Sequence, residues 1–405
     1  MDCASVNRRA FLRTCLALAG TAGCAAVLQA CGGAPVTAPP ASTPAPAVSP
    51  GGSAPAKPAA GTAPPASGAA SKAASAAAAP APSVGAGTAG LKKVRFGEVA
   101  SGFTYNLSDD QGYFAEQGIE LVRSRFASAV NMIAPLGSDQ LDIGNGAIGA
   151  GLWNAVARGV NVKLVADAGH PDPTPPGFPQ QTLLVKKALS DSGKVKSIAD
   201  IKGLKVGMSV RGSSVEYAIV KMLQKGGLTM KDIDPIELPP PEFYVRMANG
   251  NIDAVFAIQP SITQILKQNI GVKLMNDYEA APYNQSLGVL FSGPFAQSGL
   301  AVPFMIAYLK GVRKVLDGFV KGDAAAKKMA IDAVVKYGPV KDRTVFENQT
   351  SFFVYDPDGK LNVQSLNDQQ DFFLQSGTQQ TRLDLSKVVN THAIDQAVAK
   401  LGPYK

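Results

Sequence analysis

Two short stretches of this chain carry residue types suited to holding a small molecule. Val210-Arg211-Gly212-Ser213-Ser214 lies between a strand pattern and the start of a helix. The unbonded N–H groups of a helix's first turn, and the positive end of its dipole, face such a loop. Gly212 lets a ligand approach the backbone, and Ser213 and Ser214 add hydroxyl donors. With Arg211 beside them, the stretch has the chemistry of a cradle for a carboxylate, a sulfonate or another anion. The alternative is a serine N-cap with Arg211 in solvent. The second stretch, Gly144-Asn145-Gly146-Ala147-Ile148-Gly149, is a G-x-G-x-x-G sequence between a strand and a helix. Asp167 follows about twenty residues on, at a strand end, which is the spacing of a dinucleotide fingerprint. The other reading is a glycine-rich loop in which Asn145 and the N–H groups of Gly146 and Ala147 touch a small ligand.

Further candidates are less specific. Ser101-Gly102-Phe103 follows the first strand pattern and offers a hydroxyl, an amide and an aromatic face, or else a plain connection with Phe103 packed inward. His170 precedes a proline-rich stretch ending at Pro179, and the other histidine is His392. Their separation, with no carboxylate or cysteine at ligand spacing, gives no metal signature. Asp356-Pro357-Asp358-Gly359 has the spacing of a β-turn. No Ser-His-Asp set or paired carboxylates emerge, and two histidines leave little for general acid–base chemistry. The expectation is binding without catalysis and without a cofactor.

The elements that must position these residues alternate strand and helix, which favours an α/β architecture with mainly parallel sheets. Strand patterns are read at 93–97, 119–123, 141–144 and 162–166, with helices between them. A second series follows, with strands at 182–185, 205–210, 233–238, 254–258 and 272–275. The segment 287–291 reads as a return strand. From Pro303 onward the pattern is helical, with Phe304, Ala307, Tyr308, Val312, Val315 and Phe319 on one face.

The N-terminal segment carries different information. Asn7-Arg8-Arg9-Ala10-Phe11-Leu12-Arg13 and the apolar run after it have the form of a twin-arginine export signal. Leu28-Gln29-Ala30-Cys31 resembles a bacterial lipobox, which would make Cys31 the lipid-bearing first residue of the mature chain. The run from Leu16 to Leu28 is too short to span a bilayer comfortably. All four cysteines lie by position 31, so no later residue can form a disulfide, a thiolate metal site or a cysteine nucleophile. Residues 32–90 are mostly Ala, Pro, Ser, Gly and Thr, too poor in large apolar side chains to offset chain entropy. A tether of about sixty such residues reaches on the order of 40 Å as a random coil. The formal charge of +8 is spread thinly, and no arginine–aromatic stripe or lysine block suggests nucleic acid.

Several stretches in order resemble one family. They are Gly112-Tyr-Phe-Ala-Glu-Gln-Gly-Ile-Glu-Leu-Val122, Gln140-Leu-Asp-Ile-Gly144, Lys202-Gly-Leu-Lys-Val-Gly207, Arg211-Gly-Ser-Ser-Val-Glu-Tyr217, Gly226-Gly-Leu-Thr229 and Asn249-Gly-Asn-Ile-Asp-Ala254. Together they resemble the nitrate/sulfonate/taurine-type (thiamine-pyrimidine-like) substrate-binding proteins of ABC importers. The resemblance implies a type II periplasmic-binding-protein fold, with two α/β lobes joined by two crossover strands and a ligand in the cleft. It also implies a monomer serving an ABC permease and ATPase in the inner membrane. Lobe 1 is expected at 91–186 and 287–405, and lobe 2 at 187–286. The candidate ligand contacts are Ser101, Gly102, Phe103, Asn145, Gly146, Ala147, His170, Arg211, Gly212, Ser213, Ser214 and Gln259. Relatives often carry an acidic residue where Gln259 precedes Pro260, so a neutral amide there favours a neutral or anionic ligand. The competing reading is an exported dinucleotide-dependent oxidoreductase using Gly144 to Gly149.

Overall fold

The computed structural model describes residues 90–99, 102–174, 176–209, 211–338, 340–347 and 354–405. The export signal, Cys31, the tether up to residue 89 and Ser101 lie outside the described residues.

Among the described residues, ten strands form two five-stranded sheets. The first four are β1 (Lys92–Glu98), β2 (Ile119–Arg125), β3 (Ile143–Ala147) and β4 (Val162–Asp167). They are followed by β5 (Thr182–Lys186), β6 (Lys205–Met208), β7 (Asp234–Glu237), β8 (Ala254–Ala257), β9 (Gly271–Asn276) and β10 (Leu287–Ser292). The first sheet has the order β2-β1-β3-β10-β4 and the second β7-β6-β8-β5-β9. Neighbours within β2-β1-β3 and within β7-β6-β8 run parallel. Each sheet also takes in one antiparallel strand, β10 between β3 and β4, and β5 between β8 and β9. The chain therefore passes between lobes twice, through 168–181 and 277–286. This is the type II periplasmic-binding-protein arrangement.

Sheet membership corrects one boundary. Thr182–Lys186 was expected to close lobe 1, but it is a central strand of the second sheet. Leu183, Leu184 and Val185 are wholly buried there. Its short apolar run suits either sheet, so only the pairing partners decide. The strand expected at 141–144 runs instead over Ile143–Ala147. Its glycines fit a packing need: a Cβ on Gly146 would lie 2.6 Å from the Ala129 Cβ, and one on Gly144 would lie 3.1 Å from Leu136. Small residues let the helix Val130–Gly137 close against this strand.

The long helix Ala301–Phe319 is the spine of lobe 1. Phe304, Ala307, Tyr308, Val312 and Val315 are fully buried, as their helical spacing predicts. The helix packs on Phe103–Asp110, Ala324–Tyr337 and His392–Leu401. A second core on the other side of the sheet joins Met132, Leu136 and Trp153 to Leu366 and Phe373 of the helix Val363–Gln375. Among the described residues no helix is long and apolar enough to cross a membrane.

Candidate functional site

The two glycine-containing loops lie 62 to 66 residues apart in sequence at their contact points, yet they meet where the lobes touch. The Ala150 N–H donates to the Gly212 carbonyl at 2.9 Å, and the Ser214 N–H donates to the Ile148 carbonyl at 2.8 Å. Gly149 and Ser213 form an antiparallel bridge between these bonds. The approach is close enough that a Cβ at Gly149 would lie 2.3 Å from the Gly212 oxygen. The Ser214 hydroxyl donates to the Ser286 carbonyl at 2.7 Å, which adds the second crossover to the seam. Ala147 is half-buried against the core of lobe 2. Asn145, Gly146, Ala147, Gly212, Ser213 and Ser214 are thus brought to one region, at the C-terminal ends of β3 and β6. In open α/β sheets ligands bind beyond the carboxyl ends of strands.

Several donors of the Arg211–Ser214 loop are already engaged. The Arg211 guanidinium pairs with Glu237 at 2.8 Å, both about half-exposed. The Gly212 N–H, on a residue at φ +70°, donates to the Glu216 carboxylate at 2.7 Å. The helix Ser214–Lys225 thus carries its own anion at its N-terminus, where the dipole favours negative charge. Glu216 was missed in the sequence reading, although its place in the first helical turn is a capping signal.

On the lobe 1 side, Asn145 lies between Glu98 and Val289 in the sheet register. Its side-chain oxygen faces the Tyr105 hydroxyl at 3.4 Å. Burial pushes the Tyr105 phenol well above its ordinary range, so it stays a neutral O–H donor. Gly102 caps the helix Phe103–Asp110 without a side-chain bond. Phe103 is a core residue: its ring packs 4.9 Å from Phe319 and 5.7 Å from Phe346. That is the inward-packed alternative for Phe103, and its aromatic face is spent on the lobe interior.

Glu98, at the end of β1, is 2 % exposed and pairs with Arg123 at 3.3 Å. Arg123 also donates to Asp109 at 2.6 Å and to Asn106 and the Tyr105 carbonyl at 3.0 Å. Its guanidinium lies over the Phe96 ring at 5.6 Å. Burial raises the carboxyls of both Glu98 and Asp109 above the usual carboxylate range, with the Arg123 charge opposing the rise.

His170 and Gln259 sit apart from the seam contacts. His170 Nδ1 lies 3.2 Å from Asp167 Oδ1, and its backbone bridges Val354. Burial works against charge on its ring, but Asp167, Asp172 and Asp356 outweigh it and its pKa is raised. The Gln259 side-chain oxygen accepts from the Thr263 N–H at 3.2 Å and hydroxyl at 2.9 Å, within the first turn of the helix Ser261–Lys267.

The dinucleotide geometry is not realised. Gly144 and Gly146 lie within β3, and Gly149 is extended at φ −177°, so there is no tight glycine turn for a pyrophosphate. β10 separates β3 from β4, which carries Asp167. Both Asp167 oxygens are engaged inside the protein, Oδ1 by the Gly169 N–H and the Gln285 amide and Oδ2 by the Asp356 N–H. Asp167 serves as a junction between the crossovers and the C-terminal segment. Among the described residues no group of three His, Cys, Asp or Glu side chains is placed to hold a metal ion.

Comparison with known proteins agrees with this architecture. The alkanesulfonate-binding protein SsuA from Xanthomonas axonopodis pv. citri, bound to MOPS, superposes with a TM-score of 0.55 at 20% identity. The match covers 74% of this chain and 98% of that one. The periplasmic nitrate-binding protein NrtA from Synechocystis PCC 6803 gives 0.61 at 14% identity, over 77% of this chain and 89% of that one. At these identities the likeness is one of fold. An Escherichia coli (strain K12) protein assigned to aliphatic sulfonate binding is 30% identical over 142 residues, 32% of this chain and 43% of that protein. A Brucella abortus (strain 2308) protein assigned as a binding protein is 24% identical over 159 residues, 39% of this chain and 44% of that protein. The chain thus matches less than half the length of these curated relatives. The family model described as NMT1/THI5 like matches residues 104–317, just over half of the 405-residue chain. The protein belongs to the NMT1/THI5-like family, and the resemblance to nitrate/sulfonate/taurine-type substrate-binding proteins drawn from its motifs is borne out.

Proposed function

We propose that this chain is an extracytoplasmic solute-binding protein that closes two lobes on a small ligand and delivers it to an ABC permease and ATPase. It works as a monomer and performs no bond chemistry. The observation that carries the reading is the meeting of the Gly144–Gly149 and Arg211–Ser214 stretches at the carboxyl ends of strands from two lobes. The related sulfonate- and nitrate-binding proteins support a small polar ligand. Glu237 and Glu216 already satisfy Arg211 and Gly212, so a polar-aromatic ligand suits the site better than a bare anion, which would compete with two resident carboxylates. Asn145 and the tyrosine beside it supply neutral hydrogen-bonding groups.

Cys31 and the Ala/Pro/Ser/Gly stretch after it form, in this proposal, a lipid anchor and a leash. They keep the receptor on the outer side of the cytoplasmic membrane, within reach of the permease. Mass spectrometry of the mature N-terminus tests the anchor, and an unmodified start at another residue removes it. Titration calorimetry against aromatic carboxylates, pyrimidines, alkanesulfonates and nitrate tests the binding role. Saturable one-to-one binding is expected. A folded protein that binds none of these classes, or that turns one of them over, counts against the assignment.

A further inference from the structure

The helix Val363–Gln375 has two working faces. Leu366 and Phe373, seven residues apart, are wholly buried in lobe 1 beside Met132 and Trp153. Ser365, Gln369 and Phe372 follow i, i+4, i+7 spacing, and Phe372 lies at the edge of that core, packed against it and against the Phe373 ring at 5.3 Å. The Gln369 amide donates to Asn284 Oδ1 at 2.8 Å and to the Gln285 carbonyl at 2.9 Å. Ser365 Oγ accepts from the Gln285 N–H at 2.8 Å. Both partners belong to the second crossover, which is itself tied to lobe 2: the Asn284 amide donates to the Ser214 carbonyl at 3.2 Å. Phe372 then reaches lobe 2 directly. Its ring meets Tyr217 edge-on at 5.7 Å, in a small cluster with Ala218 and Ala281.

We infer that this helix is a built-in latch. Rooted in lobe 1, it grips the second crossover through Gln369 and lobe 2 through Phe372, and so holds the lobes together at the Ile148–Ala150 and Gly212–Ser214 seam without a ligand. The inference rests on the two-lobe binding reading and adds a determinant of closure outside the ligand loops. The helix is connected to both lobes and to the crossover between them, so it biases a hinge rather than one lobe's stability. A latch of this kind keeps the ligand loops in register before binding and reduces the ordering cost of closure.

Amide hydrogen exchange on the full-length, ligand-free protein tests this. The reporters are the Ala150 and Ser214 N–H groups, which donate across the seam. The internal controls are amides within β1 and β6. In the wild type the seam amides are protected. In Phe372→Ala and, separately, Gln369→Ala, they exchange about ten- to a hundredfold faster, as expected for losing one or two interactions of ordinary strength. The control amides of both lobes keep their wild-type rates. Unprotected seam amides in the wild type overturn the latch, because the seam would then need a ligand. Unchanged seam exchange in both variants overturns it as well. So does uniform acceleration across both lobes in both variants, which would make the helix part of one global unit. None of these outcomes bears on whether the protein binds a solute, which calorimetry decides separately.

Discussion

Replacing Asp277 with asparagine should stabilise the protein in alkaline solution and change it little in acid. Asp277 opens the second crossover and is fully buried. Its Oδ2 accepts the Gln181 N–H at 2.9 Å, while Oδ1 has no partner. Burial pushes its carboxyl from 3.8 up to about 8, against the opposing pull of backbone N–H groups of Gln181, Tyr278 and Gln180. The folded protein therefore holds this proton more tightly than the unfolded chain does. The stabilising contribution is complete below the unfolded value near 3.8 and is lost as pH rises through about 8. A gap of about four pH units corresponds to on the order of 5 kcal/mol of stability lost across that window. Asparagine keeps an acceptor for Gln181 and cannot ionise. Urea unfolding of both chains from pH 5 to pH 9 measures the difference. Glu98, Asp109 and His170 are also raised and slope the same way, but they are common to both chains and cancel. The variant should gain steadily on the wild type, leading by several kcal/mol at pH 9. Parallel profiles, or a wild type that gains on the variant as pH rises, would refute the buried-acid reasoning.

Three other changes probe different parts of the molecule. Gly149→Ala places a Cβ 2.3 Å from the Gly212 oxygen, so the seam must part and two backbone hydrogen bonds go with it. A loss of about 2–4 kcal/mol in chemical unfolding is expected, and a loss below about 0.5 kcal/mol would mean the contact yields freely. Arg123→Met leaves Glu98 and Asp109 buried without their shared cation. It should destabilise by about 3–5 kcal/mol, with a smaller deficit at low pH, where both acids are protonated; a pH-independent deficit argues against the charge explanation. In NMR titration the His170 ring should titrate above its ordinary value. Asp167→Asn should bring it down, because burial would then act with less opposition. An unchanged His170 titration in that variant would remove Asp167 as the cause.

The two candidate loops were legible in the sequence as places but not as contacts. Gly212 and the two serines advertise a helix start, and G-x-G-x-x-G advertises close backbone approach. Their local chemistry is common to an anion cradle, a dinucleotide turn and a packed seam. What separates these readings is the partner, and the partners here are distant in the chain: Ile148 for Ser214, Glu237 for Arg211, and Gln285 for Asp167. Phe103 shows the same limit, since an aromatic after a strand suits a cleft or a core until Phe319 and Phe346 are placed around it.

By itself the sequence determined the alternation of strands and helices, the apolar stripe of Ala301–Phe319 and the family to which the motifs point. These rest on periodicity and local propensity, which act over a few residues. Tertiary structure alone decided that Thr182–Lys186 belongs to lobe 2, that Gly144 and Gly146 lie in a strand, and that Val363–Gln375 spans both lobes. Such facts depend on which surfaces meet across long sequence separations. A short buried strand reads the same in either sheet, and an amide such as Gln369 gives no sign of its partner until the crossover is folded against it.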